Sequence, residues 1–521
     1  MILRLLCLLS FFFSMPLIAQ EPISTTTVDV KFGELAKSHK KSFLKGVFLE
    51  KDGHYFGVRS VGSINLRTSD AYEKFERFGS NIVLEEYDSN FQLIRESDDF
   101  WISWRYYNPR MLGLTTNESG DLLVILEGRQ EKENYVTAAL VKVDPVTFEV
   151  EKETEKQKVV EIVDPKAEEY GLGSFQFVSS KNGDYQALIY DYSQKSSKQI
   201  IEAYVFDRNW NLKYSRIDKM PIKSELAELI SCSVSDAGET HLLLKQYKNN
   251  LQEIARDKAN YEIVLRSFVD ADSKVTMQSI DLNDNIVQGI NMAEAPNGDI
   301  VVGANIGAIG SESPERLLCA RVSSLRDTIY PLSFVVVPED TIAKDLKVGS
   351  YIEKGFEAPD IYFGNEGAVY LVSERVDLTK TALGMFEIEN EITYYARYAG
   401  LFIGYFNPAG NTWFDYVSKY QLSRNDLGRY SSYAALTKDE ELHLFYMSHN
   451  YAKYFSKDER RNMTHTSFNP SHERKTETLF SGKDLKIITC PRFAYTDANN
   501  RLVIPFVSGR KSALMLIELK D

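Results

Sequence analysis

The chain has 521 residues, of which 74 are acidic and 61 basic, for a net charge of −13. That balance repels phosphate backbones, and no Lys/Arg cluster offsets it, so nucleic acid is excluded as a partner. Four cysteines without C-x-x-C spacing exclude a disulfide framework and a zinc site.

Read from the start, residues 1–19 have the form of a secretory signal. Arg4 supplies a positive lead, Leu5 to Phe13 an apolar stretch, Pro16 a break and Ala19 a small residue for cleavage. Cys7 lies inside the apolar stretch rather than just after it, which argues against a lipid anchor. Nothing later approaches about 18 uninterrupted apolar residues. The expectation is a cleaved signal over 1–19 and a single domain over 20–521, secreted or periplasmic, with no membrane span.

The segment TTTVDVKF (25–32) then reads as an isolated strand. After it, one pattern recurs: an apolar strand, a turn rich in Gly, Asn and Asp, and a second strand. The copies are VFLEKDGHYFGVR (47–59), LGLTTNESGDLLVIL (112–126), FQFVSSKNGDYQALIY (175–190), SCSVSDAGETHLLL (231–244), NMAEAPNGDIVVGA (291–304) and DIYFGNEGAVYLVS (360–373). YAALTKDEELHLFYM (433–447) and FAYTDANNRLVIPFV (493–507) keep the pattern without the Gly. Asn-Gly and Asp-Gly suit primed two-residue turns, in which both central residues have positive φ. A second turn type alternates with the first, as in EEYDSNFQLI (85–94), LVKVDPVTFEV (140–150), AYVFDRNWNLKY (203–214), RSFVDADSKVTM (266–277), IGYFNPAGNTWFDY (403–416) and HTSFNPSHERKTE (465–477).

Each unit therefore holds four strands, and the units repeat at a mean spacing of about 63 residues. Strands such as YQALIY and IIEAYVF are apolar on both parities, as expected where both faces are covered. Over essentially all of 20–521 the pattern resembles the β-propeller architecture, although the units exceed WD40 repeats in length and lack their G-H…W-D signature. The resemblance implies an all-β fold: a single ring of four-stranded antiparallel blades, eight in number, with seven blades or two smaller propellers as the alternatives. The last unit lacks a fourth strand, so residues 25–32 are expected to pair with 513–519 and close the ring. Cys232, Cys319 and Cys490 each sit in an apolar run and are expected to be buried free thiols, with one bridge as the alternative.

In such a meander the first-to-second and third-to-fourth turns share one face of the ring. They are short here, whereas insertions at 60–80, 247–260, 374–396 and 449–463, and connections at 95–110, 151–170 and 331–357, fall on the other face. Long loops on a rigid scaffold are where binding concentrates. Short helices are expected over 69–79 and 249–261.

The connection DDFWISWRYYNPRM (98–111) supplies the candidate ligand-binding set: Trp101, Trp104, Arg105, Tyr106 and Tyr107. Clustered aromatics beside an arginine suit sugar stacking or a protein hot spot, and equally the plugging of a blade junction. GNTWF (410–414) resembles the end of the Asp-box of sialidase-like propellers, but the preceding Ser and Asp are Phe406 and Pro408, so it reads as turn chemistry. No G-x-S-x-G, HExxH, P-loop or G-x-G-x-x-G occurs, and the seven histidines fit no metal scheme. No cofactor, metal or catalytic residue is assigned. The sequence favours a monomeric binding or scaffold module for a protein or glycan, acting through the long-loop face. The alternative is a glycoside hydrolase or lyase with acidic and aromatic residues at the channel mouth.

Overall fold

The computed structural model describes residues 23–520 except 38–41, 62–80, 98–109, 131–133, 145, 151–156, 164–172, 193–197, 256–257, 283–284, 310, 312–313, 326–327, 340, 342–352, 383–391, 425–430 and 449–461. Among the described residues the fold is a β-propeller of antiparallel meander sheets, one per blade. Six sheets have four strands, one has five and one has seven; a separate two-stranded hairpin is an insertion in blade 4. Blade 1 begins at Ser42–Lys51 and blade 2 at Arg110–Thr116. Blades 3, 4 and 5 begin at Ser174–Ser179, Ala227–Val234 and Ile286–Glu294. Blade 6 begins at Glu353–Phe356 with Asp360–Phe363, blade 7 at Tyr433–Lys438, and blade 8 at Ile488–Thr489 with Tyr495–Thr496.

The apolar core is divided among the blade interfaces. Leu243, Ile263 and Leu265 of blade 4 pack with Ile290, Ile300 and Val302 of blade 5, and equivalent clusters join each blade to the next around the ring. This is why the central strands are apolar on both parities: each face meets a different neighbour.

Closure follows the expected route. Val28–Phe32 lies antiparallel to the last strand, with Val28 opposite Leu519, Val30 opposite Ile517 and Phe32 opposite Met515. Val28 and Val30 are fully buried, and their transfer from water contributes about 3–6 kcal/mol.

The turns differ in detail from the sequence reading. Two first turns are primed two-residue turns, Asp52-Gly53 (φ 53° and 76°) and Asp439-Glu440 (φ 50° and 69°). At Asn182-Gly183 only Gly183 has positive φ, at 75°. There the Gly183 N–H donates to Ser180 O, and the Ser180 N–H to Tyr185 O, giving a longer turn with a single left-handed residue. The alternating turns are held by their leading Asp: Asp207 Oδ1 accepts from the N–H groups of Asn209 and Asn211. Both turn types lie on one face, where the Asn182 N–H donates to Asp236 of blade 4 and the Glu118 N–H to Asn209 of blade 3.

Other expectations are corrected. Residues 249–261 form no helix but a small hairpin, Ile254–Ala255 with Lys258–Ala259, because Glu253 is drawn to Lys245 and Tyr247 and Asn260 bonds back across the loop. The fourth strand of blade 2 is Gln157–Val163, inside the segment read as a connection, and that of blade 5 is Ser333–Val336. The insertion at 374–396 is largely strand, since Val369–Ala382 and Ile392–Phe406 prolong the blade 6 hairpin. The expected helix at 69–79 lies outside the described residues. Cys232, Cys319 and Cys490 are free and buried.

Beside the closing strand, a row of polar groups crosses blade 7. The hydroxyls of Thr25 and Thr27 donate to Glu477, which also accepts from His465 Nδ1 at 3.1 Å. His465 Nε2 is in turn 3.0 Å from His443 Nδ1. Burial holds both imidazoles below their ordinary range, His443 down to about 3; the neighbouring His465 and then Lys438 add to this at His443, while Glu477 and Glu441 oppose it at His465. The unfolded chain would protonate them near the usual histidine value of about 6.5.

Two outcomes follow. Removing residues 20–34 should lower the calorimetric Tm by more than about 10 °C or abolish cooperative unfolding; an unchanged Tm would contradict closure by this strand. Because the two histidines titrate lower in the folded state, their contribution is complete above about pH 7 and is lost progressively as pH falls from about 6.5 towards the folded value, about 3 for His443. The urea midpoint should therefore drop between pH 7 and 5, and His443→Gln should flatten that slope; an equal slope in the variant would contradict the assignment.

Candidate functional site

The five residues Trp101, Trp104, Arg105, Tyr106 and Tyr107 lie outside the described residues. What the structure does describe is a set of polar side chains that the repeat places at one height. Five residues beyond the first paired residue of each second strand stand Arg59, Glu127, Asp191, Lys245, Asn305 and Glu374. Tyr446 and Val507 take the place in blades 7 and 8. The position lies towards the long-loop face, and each strand around it is otherwise mostly apolar.

Burial of such groups requires partners, and most are bonded across a blade boundary. Arg59 pairs with Glu85 and donates to Ser512 of blade 8 at 2.8 Å. Glu127 accepts from Arg110, Arg129 and the Phe175 N–H of blade 3. Asn305 donates to the Glu357 carbonyl and to Ser373, both of blade 6. Glu374 is paired with Lys419 and accepts from Ser432 of blade 7. Burial pushes Glu374 up and Lys419 down, each towards its neutral form, and their mutual attraction opposes this. Lys245 is held within blade 4 by Glu253 and sits 4.2 Å from the Tyr261 ring.

Asp191 is the exception. Its side chain accepts from Gln199 Nε2 at 2.6 Å, and burial, with Glu228 nearby, raises its carboxyl to about 6.

At the mouth of the axial channel a second group converges from three blades. Arg492 of blade 8 pairs with Glu357 of blade 6 at 3.2 Å and donates to Tyr398 Oη at 3.1 Å. A contact from blade 8 to blade 6 passes over blade 7, which is geometrically feasible only near the axis. Tyr433 of blade 7 donates its hydroxyl to Asp360 at 2.6 Å, with the Val372 carbonyl 3.1 Å from the same oxygen. Asp360 is reached by solvent, yet the surrounding protein penalises its charge and, with Glu357, raises its carboxyl above the usual range. Such a carboxyl, beside a tyrosine and an arginine, can bond sugar hydroxyls or peptide groups and can hold a proton. No group of three or more His, Cys, Asp or Glu suited to a metal ion occurs among the described residues, and no described helix is long and apolar enough to cross a membrane.

The sequence reading missed both groups. Aligning the second strands on their turns would have exposed the polar position; the convergence of Glu357, Asp360, Tyr433 and Arg492 requires the folded ring.

Comparison with solved structures finds alignments over most of the chain at low identity. It aligns with prolyl oligopeptidase B from Galerina marginata at 9% identity, covering 90% of this chain and 55% of that one, with a TM-score of 0.41. The polysaccharide lyase Uly1 also aligns at 9% identity, covering 90% and 94%, TM-score 0.41. The β-propeller domain of the Trilobed protease from Pyrococcus furiosus aligns at 8% identity, covering 85% and 98%, TM-score 0.35. The chain thus spans about half the length of the oligopeptidase. No protein-family model matches it, and no curated protein sequence does.

Asp191 gives a direct test. Its folded carboxyl keeps the proton up to about pH 6, whereas an unfolded aspartate releases it near 3.8, so the folded state is penalised increasingly as pH rises between those values. Asp191→Asn should stabilise the protein by about 1–3 kcal/mol at pH 8 and by nearly nothing at pH 3.5. Equal effects at both pH values in urea titrations would contradict the assignment.

Proposed function

We propose that the protein is an exported binding propeller that takes a protein or glycan on its long-loop face, at and around the channel mouth. The observation that carries this reading is the internal neutralisation of the charged groups there. Glu357 with Arg492, Glu374 with Lys419, and Glu127 with Arg110 and Arg129 are engaged with one another. Groups bound in this way hold the blades in place, and they leave the mouth to recognition rather than to bond breaking.

One observation favours a second reading, a glycoside hydrolase or lyase. Asp360 is accessible, has a raised carboxyl and is hydrogen-bonded to Tyr433, which are properties of a carboxyl poised for proton transfer. Purified protein should bind members of a polysaccharide and peptide panel saturably without releasing new reducing ends or unsaturated products, and Asp360→Asn should change the affinity less than about threefold. Turnover of any polysaccharide that Asp360→Asn abolishes would establish the second reading instead.

A further inference from the structure

Beyond its buried Glu374, the second strand of blade 6 carries Arg375 and Asp377. Arg375 faces blade 5: Phe356, opposite it in the ladder, packs on Phe402 in the cluster that holds Val301 and Leu317 of that blade. Asp377 shares this face by the alternation of the strand, and Arg397 of the third strand lies opposite it. Asp377 thus sits between two guanidiniums. Arg375 Nε donates to its Oδ1 at 3.1 Å, and Arg397 Nε to its Oδ2 at 3.0 Å, with Arg397 Nη2 on the same oxygen. Arg375 is 2% exposed, Asp377 0% and Arg397 4%.

The three side chains together carry one positive charge in excess. The carboxylates of Glu374 and Glu357 are already paired, with Lys419 and Arg492. Glu127 of blade 2 also lies between two arginines, but Arg110 and Arg129 keep 21% and 22% of their side chains in water, where the high dielectric weakens the surplus. In blade 6 the surplus is enclosed, and a buried charge requires a partner.

A donor points the same way. The bond to Asp377 is the one side-chain hydrogen bond of Arg375 among the described residues, and its Nη2 is buried without an acceptor. The adjoining strand of blade 5 sends no side chain there. Asn305 bonds Ser373 one step below, and two residues further along that strand stands Gly307.

We propose that the Arg375–Asp377–Arg397 cluster is a resident site for a small inorganic anion, chloride, bound by the Arg375 guanidinium beside that of Arg397. Enclosure selects this class. A peptide or glycan carboxylate brings a chain with it and needs an opening onto solvent, which side chains this buried do not offer. A bridging water satisfies Nη2 but leaves the charge unbalanced. The ion neutralises the surplus at the foot of the hairpin Val369–Ala382 and Ile392–Phe406, where blade 6 runs on beyond the second strand of blade 5. The site stands whichever reading of the channel mouth holds.

Thermal unfolding of the whole protein tests this, with sodium gluconate replaced stepwise by sodium chloride at constant ionic strength. The wild-type Tm should rise saturably by about 1–3 °C. Arg375→Met keeps the bulk, removes the donor and leaves Asp377 paired with Arg397, so its Tm should not respond. Crystals grown in sodium bromide should show an anomalous peak beside Arg375 Nη2, and this decides the matter if Arg375→Met does not fold. A wild-type Tm indifferent to chloride, or an equal response in the folded variant, would overturn the proposal. So would bromide crystals that hold only water at Nη2.

Discussion

The structure depends on ring closure. A blade that is apolar on both faces cannot satisfy itself in water, so each sheet is stable only with a neighbour on either side, and a linear array would leave two such faces exposed. The pairing of Val28–Phe32 with the last strand solves this by completing blade 8 from the opposite end of the chain. It ties strands from opposite ends of the chain together and leaves no blade without both neighbours. The cost of bringing such distant segments together grows only slowly with chain length, whereas the area buried at the closing interface is that of a whole blade.

The second constraint concerns charge. A polar residue recurs at one height on six second strands, and in most blades its partners cross to the next blade or are a counter-charge nearby. Apolar contact alone is non-directional, and sheets can slide over one another with little loss. A buried Glu127 bonded to the Phe175 N–H, or Asn305 bonded to the Glu357 carbonyl, permits one register only, because any slip leaves a buried polar group unpaired. Asp191, with an amide but no cation in hydrogen-bond range among the described residues, departs from this arrangement, and burial raises its carboxyl to about 6.

Much of this was legible in the sequence, and the reason is repetition. Eight turns at similar spacing made the strands, the propeller and the closing role of residues 25–32 readable, because each copy is weak evidence but the copies agree. Turn geometry was less readable. Asn182-Gly183 has the composition of a primed turn, but its longer loop puts only Gly183 in the left-handed region. The expected helix at 249–261 failed because its apolar spacing was outweighed by specific pairing of Glu253 and Asn260. The channel mouth was not readable at all: Glu357 and Arg492 are remote in sequence and meet only because blades 6 and 8 converge on the axis.

Hydrogen exchange on the closing strand tests the central claim most directly. If the ring is one cooperative unit, the amides of Asp29, Lys31 and Glu518, which bond across the closing ladder, should exchange only through global unfolding, at the same rate as those of the blade 4 strand Thr240–Tyr247. Exchange of the closing strand orders of magnitude faster, with blade 4 still protected, would show that the ring stands without its latch and would contradict the account.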